Sequence, residues 1–173
     1  MSGALVKISD VDVTSAVASV TLTGVSSDYD VYVLYAYDVQ CATDNKNIIV
    51  HTTVGGTADT NAVYDSAFDQ YRSDNTTSTS SSANNGSLTF APSLSNATGE
   101  TLSFIMYLHT FNENDRPSFV SVESNFVNVN SNNYGFQGGF MNSTNQACDG
   151  IRFIMESNAN FSKGRFTLYG YNK

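Results

Sequence analysis

Apolar and polar residues alternate with a period of two along most of the chain. In residues 16–23 every second side chain is apolar, and residues 101–109 repeat the pattern with Phe104 on the inward face and Tyr107 on the outward face. Residues 151–156 and 165–169 alternate in the same way. Such alternation predicts strands with one buried face.

Residues 29–39 differ because both faces of this segment are apolar. One face carries Val33 and Tyr35, and the other carries Tyr32 and Leu34. A strand of this kind is covered on both sides, and we expect one of its covers to be a second subunit.

Further strands are predicted between clusters of turn-forming residues, which gives nine or ten strands in total. These segments are residues 4–8, 47–54, 87–90, 119–127 and 134–140. Residues 62–71 could form a short helical turn or an irregular strand, and Pro92 and Pro117 each stand where a strand could begin. Many strands without a helical crossover predict an all-β fold, an antiparallel β-sandwich of the jelly-roll type.

The chain of 173 residues is long enough for one domain with a real core, and we predict a single jelly-roll domain over residues 1–173. Residues 73–87 are rich in Ser, Thr and Asn and lack apolar residues. Such a segment cannot offset its ordering entropy by burial. We therefore predict an exposed loop at about 73–87, with ordering against a partner as the alternative.

Charge and the terminal sequence restrict the partners and the compartment. Eight basic residues against 16 acidic ones give a net charge of −8. The basic residues are scattered singly, which argues against nucleic acid and anionic membranes as partners. The N-terminal segment has no basic region followed by an apolar stretch, so we expect folding in a cytosol. In that compartment Cys41 and Cys148 are expected to stay reduced, with a bridge between them as the alternative.

Familiar catalytic and cofactor-binding motifs are absent from the sequence. It contains no G-x-S-x-G, H-E-x-x-H, C-x-x-C, G-x-G-x-x-G or G-x-x-x-x-G-K-[ST]. His51, His109, Cys41 and Cys148 include no closely spaced pair of the kind that zinc sites use, and the cysteines have neutral or acidic neighbours. We therefore predict no catalytic residues, no metal ligands and no cofactor, and we expect that the protein is not an enzyme.

Acidic residues cluster at several places and could supply oxygen ligands for calcium. The clusters are Asp10 with Asp12, Asp28 with Asp30, the series Asp59, Asp65, Asp69 and Asp74, and residues 112–115. Their spacing matches neither an EF-hand loop nor a repeat that binds calcium. A solvated acidic surface is the preferred interpretation, and a calcium site is the alternative.

The C-terminal segment contains a recurring short pattern. Residues 149–155 read DGIRFIM, and residues 160–171 read NFSKGRFTLYGY, which is an apolar strand, a few polar residues and then G-x-F-x-L-Y-G. We expect Phe166 and Leu168 to face inward, and Gly170 to end the strand through backbone angles that other residues avoid. Earlier in the chain, Leu22-Thr23-Gly24 leads to residues 29–34, YDVYVL, and an apolar strand ends at Gly55-Gly56-Thr57.

These patterns together resemble jelly-roll virion structural proteins of tailed bacteriophages, especially those of aquatic hosts. The resemblance implies a module of the virion, assembled in the host cytoplasm, whose partners are other virion proteins. Three roles are compatible with it. The first is a homotrimeric capsid decoration or cement protein bound to the major capsid protein. The second is a receptor-binding tail fibre or tail tip module that recognises host-surface glycans, and the third is an enzyme of the particle. We rank them in this order because the chain shows no stalk repeat and no enzyme motif.

Overall fold

The structure is a computed structural model, and it describes residues 4–171. Residues 1–3 and 172–173 of the predicted domain lie outside the described residues. The fold is an all-β antiparallel sandwich of the jelly-roll type, as the alternating pattern predicted. Its strands are β1 (Leu5–Val13), β2 (Ser19–Thr23), β3 (Val31–Cys41), β4 (Lys46–Val54), β5 (Thr57–Ala58), β6 (Tyr64–Arg72), β7 (Thr77–Asn85), β8 (Leu88–Leu94), β9 (Leu102–His109), β10 (Ser118–Val127), β11 (Asn133–Asn142), β12 (Gly150–Met155) and β13 (Phe161–Tyr171).

The strands form two sheets. The large sheet has eight strands in the order β1-β13-β3-β9-β10-β11-β6-β7. The small sheet has the order β2-β12-β4-β5, and β8 also pairs with β4. A 3₁₀ turn, Glu156–Asn158, links β12 to β13. Among the described residues, no helix is long and apolar enough to cross a membrane.

One hydrophobic core lies between the two sheets, and aromatic rings dominate its centre. Phe104 of β9 contacts Phe90 of β8 at 5.1 Å and Phe153 of β12 at 5.5 Å between ring centroids. Phe153 also contacts Phe166 of β13 at 5.5 Å. The inward faces predicted for β9 and β13 are confirmed, because Phe104, Phe166 and Leu168 are all buried in this core.

Two segments need comparison with the sequence-based predictions. Residues 64–72 form strand β6, which agrees with the irregular strand and not with the helical turn, because the pairing of β6 with β7 shifts register between Tyr64 and Ser66. Residues 77–85 form strand β7 at the edge of the large sheet, so the predicted loop at 73–87 is wrong for these residues. An edge strand needs no apolar face when its backbone pairs with a neighbour, and β7 pairs with β6 from Tyr64 to Tyr71. The Ser66 and Ser82 hydroxyls add a hydrogen bond of 2.8 Å across this pair.

A proline and a glycine also have different local roles from those expected. Pro92 lies inside β8 rather than at its start, and Ala91 and Ser93 beside it have φ values of 49° and 58°. Pro117 directly precedes β10, as expected. Gly170 does not have a positive φ. An added Cβ at Gly170 would lie 2.4 Å from the ring of Tyr29, so close packing explains this glycine, and special backbone angles do not.

Candidate functional site

The histidines and cysteines considered as ligands do not form a metal site. In residues 4–171, no group of three or more His, Cys, Asp or Glu side chains could hold a metal ion. His109 lies on the outer face of β9 and stacks against Tyr107. His51 is 6% exposed, and burial together with the nearby Arg152 lowers its pKa. His109 and His51 are therefore each packed against neighbouring side chains of the fold.

The two cysteines are free thiols, and both are buried. Burial raises the pKa of Cys41 and of Cys148 above the ordinary thiol value. Because the thiolate is the nucleophilic form, a raised pKa makes both thiols poor nucleophiles at neutral pH.

The acidic clusters are dispersed by the fold. Asp10 pairs with Lys7 and Asp12 pairs with Arg165, each at 2.9 Å and on the surface. Asp115 pairs with its neighbour Arg116. Such exposed pairs add little to stability, because solvent and salt screen the two charges. Asp59 is different, because it lies in a network of hydrogen bonds at one end of the sandwich.

This network connects the two sheets through buried and half-buried polar side chains. The Asn142 amide of β11 donates to Thr52 Oγ1 of β4 at 2.9 Å and to Asp59 Oδ2 at 3.0 Å. Gln146 Nε2 also donates to Asp59 Oδ2, at 2.7 Å. The Tyr64 hydroxyl donates to the Asp59 carbonyl oxygen at 2.7 Å and accepts from the Thr52 N–H at 3.0 Å. Each side chain of the network therefore forms a hydrogen bond with another member. These bonds fix the position of β4 relative to β6 and β11.

The protonation states of Asp59 and Tyr64 match the hydrogen bonds that these residues make in the network. Burial raises the pKa of Asp59, but hydrogen bonds from Asn142, Asn61 and Gln146 outweigh it and leave the pKa below the ordinary value. Burial raises the pKa of Tyr64 to about 12. At neutral pH the network thus holds a carboxylate and a neutral phenol, which matches the donors and acceptors around them.

We expect the Tyr64 hydroxyl to make the folded protein sensitive to alkali. The folded pKa of about 12 exceeds the ordinary value of 10.0, so the contribution is complete below pH 10 and is lost as pH rises toward 12. Relative to Tyr64→Phe, the wild-type free energy of unfolding should fall by about 2 kcal/mol more between pH 9 and pH 12. Urea unfolding of both proteins across this range measures the difference. Parallel pH profiles would contradict the assignment.

Besides the hydrogen-bond network, the structure has an exposed aromatic ridge on the outer face of the large sheet. We define the ridge as Tyr35, Tyr37, Tyr107, Tyr169 and Tyr171, which lie on β3, β9 and β13. Tyr37 is 69% exposed, and Tyr35 and Tyr107 are 41% and 40% exposed. The rings of Tyr35 and Tyr169 meet edge to face at 5.8 Å. Val33 of β3 pairs with both Tyr107 and Tyr169 in the strand register and is only 4% exposed.

A shallow trough lies beside the ridge on the same face. We define the trough as Ser121, Gly139 and Ala67, which occupy consecutive positions across β10, β11 and β6. Phe119 and Met141 line one side of this depression. The depression is confined to these three small residues, because Phe119 on the adjacent row of β10 is 43% exposed.

Comparisons with known proteins add little to this description. No family model matches the chain, and no curated protein matches it. Among solved structures, the chain is similar to the marine PL-14 alginate lyase from Aplysia kurodai, with 12% sequence identity and a TM-score of 0.32. The alignment covers 85% of this chain and 70% of the lyase.

This similarity corrects one sequence-based expectation. The lack of familiar motifs led to the expectation that the protein is not an enzyme, and the match to a lyase contradicts that exclusion. The reason is that short motifs identify only some enzyme classes, whereas a site can also be built from single side chains on separate strands. At this identity and TM-score, however, the match assigns neither an activity nor a substrate to the chain.

Proposed function

We propose that the protein is a structural protein of a tailed-phage virion, namely a capsid decoration protein that stabilises the head. The proposal starts from the resemblance of residues 149–171 and 22–57 to jelly-roll virion proteins. The observation that carries it is the aromatic ridge. Aromatic side chains exposed on the outer face of a sheet suit contact with another folded protein.

The size of the exposed aromatic surface supports a protein contact. Tyr35, Tyr37, Tyr107, Tyr171 and the adjacent Phe119 are each 40–69% exposed. Together they leave roughly 500 Å² of aromatic surface in solvent, if a whole aromatic side chain has about 200 Å². The largest apolar patch on a typical monomer is about 300–600 Å² and is often functional. The ridge together with Phe119 is therefore of the size expected for an interaction site.

The remaining surface fits a position on the outside of a shell. The chain has a net charge of −8, so it does not attract packaged nucleic acid. The two sheets share one aromatic core and are also joined by the buried network of Asn142, Thr52 and Asp59. A sandwich connected in this way resists shear between its sheets, which a protein that clamps capsomers requires.

Immunogold electron microscopy of purified particles tests the proposal. With an antibody raised against this chain, we expect label over the heads, and particles made without the protein should burst more readily on heating. Particles that lack the protein serve as the control for antibody specificity. Label confined to the tail, or on no particle, would reject the capsid role.

A tail module that binds glycans is the second candidate, and a cleft at the β7 edge favours it. The cleft opens between β7 and β8, with Phe68 and Phe136 in its floor and the hydroxyls of Ser80, Ser82 and Thr89 in its walls. An apolar floor with uncharged hydrogen-bonding groups is suited to a neutral saccharide. Label at the tail tip in the same micrographs would place this function first.

A further inference from the structure

Two neighbouring basic side chains of the small sheet each have a buried nitrogen atom whose hydrogen bond is not made. Nδ1 of His51 on β4 and Nε of Arg152 on β12 have no hydrogen-bond partner in the part of the chain that the structure describes. His51 and Arg152 are direct cross-strand partners in the antiparallel pairing of β12 with β4. Because nearly all buried polar atoms in folded proteins are hydrogen-bonded, two such atoms on adjacent side chains require an explanation.

Both side chains project from the outer face of the small sheet. Ile151 and Phe153, on either side of Arg152, are buried in the core between the sheets, and so is Val50 beside His51. Successive side chains of a strand point to opposite faces, so Arg152 and His51 point away from the core. Paired residues on one face have Cβ atoms about 4.5–5.5 Å apart. The guanidinium and the imidazole therefore share one small region of the surface.

This region is sheltered at His51 and more open at Arg152. The His51 ring meets the ring of Tyr64 edge to face at 6.0 Å, and His51 is only 6% exposed. Arg152 is half-buried, so a small ligand can approach from the β12 side. Inside such a partly enclosed site, hydrogen bonds and charges act more strongly than in water.

Arg152 differs from the other arginines of β13 and the β9–β10 loop in its partners. Arg165 pairs with Asp12, and Arg116 pairs with Asp115, each at 2.9 Å. In residues 4–171, no ion pair joins Arg152 to a carboxylate. The chain has 16 acidic residues against eight basic ones, so carboxylates are not scarce. The Arg152 guanidinium is therefore available to an anion that the chain does not itself supply.

The carboxylate of Asp59 acts on His51 through its charge but is occupied by other donors. Asp59 Oδ2 accepts hydrogen bonds from Asn142 and Gln146, and Oδ1 accepts two from Asn61. The negative charge of Asp59 opposes a second anion while His51 is neutral. Protonation of His51 offsets this charge, so anion binding at this place should strengthen as the pH falls.

The groups that face His51 determine its protonation state. Burial and then the positive charge of Arg152 lower the pKa of His51, whereas Asp59 and the backbone of Gly86 raise it. Tyr64, with a pKa of about 12, stays neutral in this range. The balance leaves the pKa of His51 below the ordinary value, so the imidazole is neutral at pH 7.

We propose that His51 and Arg152 form a binding site for a small oxyanion, namely a sulfate, phosphate or carboxylate group, on the outer face of the small sheet. Nε–H of Arg152 and Nδ1–H of the protonated His51 then both donate charge-assisted hydrogen bonds to the anion. Thr21 of β2, the other cross-strand partner of Arg152, lies on the same row and can add its hydroxyl. Proton uptake by His51 and anion binding favour each other by the same factor.

NMR titration of the imidazole signals tests the proposal, because the chain has two histidines, His51 and His109. Sulfate is the first probe, since its charge is constant over the range in which imidazole titrates, and sodium chloride of equal ionic strength is the reference. If sulfate binds the protonated site about tenfold more tightly, saturation raises the pKa of His51 by about one unit. The His109 signals, from the large sheet, should not respond. An identical His51 titration in sulfate and in chloride would overturn the proposal.

Substitutions of arginine test which cation holds the anion. Arg152→Gln should abolish the effect of sulfate on His51, and Arg165→Gln, on the large sheet, is the matched control that should retain it. A sulfate effect that persists in Arg152→Gln would reject the site. If Arg152→Gln does not fold, Arg152→Lys replaces it, because lysine keeps the charge but lacks the Nε–H group. A smaller shift than in the wild type is then expected, and an undiminished shift would reject the role of Nε.

Calorimetry tests the coupling to His51 itself. Wild-type protein should bind sulfate up to about tenfold more tightly at pH 5 than at pH 8, which is the counterpart of the shift in pKa. His51→Gln cannot take up this proton and should bind sulfate with the same affinity at both pH values. An unchanged pH dependence in His51→Gln would assign the proton to another group and overturn the coupling.

Acetate in place of sulfate identifies the class of oxyanion. An equal response to acetate indicates a carboxylate ligand, a response to sulfate alone indicates a tetrahedral oxyanion, and no response to either rejects the site. The inference does not depend on a virion role. A sulfate response without immunogold label on particles would retain the oxyanion site and reject the virion proposal, and labelled heads without any anion response would do the reverse.

Discussion

Phe104→Ala is expected to lower the free energy of unfolding by about 3–5 kcal/mol. Phe104 is 4% exposed, and its ring contacts Phe90 and Phe153 of the small sheet and Phe166 of its own sheet. Removal of the ring leaves a cavity at the point where the two sheets meet. Surrounding aromatic rings on three different strands cannot collapse together without distorting the strand pairing, so the cost should lie near the upper end of this range.

Phe119→Ala is the matched control for this prediction. Phe119 lies on β10, the neighbour of β9, but faces outward and is 43% exposed. The same chemical change there should cost less than about 1 kcal/mol, because little buried surface is lost. Both substitutions are measured by urea unfolding at low protein concentration. Equal losses for the two variants would mean that the inward and outward faces of β9 and β10 have been assigned incorrectly.

The strands of the sandwich that alternate clearly could be predicted from the sequence. In β9, Leu102, Phe104, Met106 and Leu108 are all buried, and Tyr107 on the opposite face is exposed. In β3, both faces are apolar, as the sequence indicated, with Tyr32 and Leu34 in the core and Tyr35 exposed. These strands are predictable because the apolar residues within each strand's own sequence show which of its faces is buried.

Strand β6 was predicted only as an alternative to a helical turn, and strand β7 was not predicted, because both strands depend on backbone pairing with a neighbour more than on an apolar pattern in their own sequences. β6 alternates only weakly, with Tyr64, Phe68 and Gln70 on its buried face. β7 is mostly Ser and Thr, and no residue of it is fully buried. A strand at the edge of a sheet is determined by backbone hydrogen bonds to its neighbour, and single-chain periodicity does not reveal such pairing.

The outer face of the large sheet was only half visible in the sequence. The outward positions Tyr35 and Tyr107 follow from alternation, so the ridge could be anticipated. The trough could not, since it depends on the register that places Ser121 beside Gly139 and Gly139 beside Ala67. A Gly-Gly pair such as Gly138-Gly139 suggests a turn in sequence, whereas here it lies inside β11. An added Cβ at Gly139 would approach the Val120 carbonyl oxygen to 2.8 Å, which explains glycine in this strand.

The buried network was also beyond sequence analysis, and for a similar reason. Asn142 and Asp59 are separated by 83 residues, and Asn142 and Thr52 by 90. Each of these residues alone is typical of a turn or a surface. Their convergence follows from the strand order, which brings the ends of β4, β6 and β11 to one end of the sandwich.

Asn142→Asp should produce the largest pH-dependent loss of stability. Asn142 is fully buried, and its amide donates to the carboxylate of Asp59 at 3.0 Å. A second carboxyl group at this position cannot ionise easily beside the first, so its pKa in the folded state should rise well above the ordinary value. Stability is then retained below about pH 4 and lost as pH rises through the raised pKa.

At pH 7 we expect Asn142→Asp to cost about 3–5 kcal/mol, the range for an uncompensated buried charge. Asn142→Leu is the control, because it removes the same hydrogen bonds without adding a charge and should cost about 2–3 kcal/mol at every pH from 4 to 8. Urea unfolding of both variants over that range separates the two effects. The Asp variant should become the more stable of the pair near pH 4, since a protonated carboxyl can still donate one hydrogen bond to Asp59. If the two variants keep the same difference in stability from pH 4 to pH 8, the Asn142 amide does not act as a donor to an ionised Asp59.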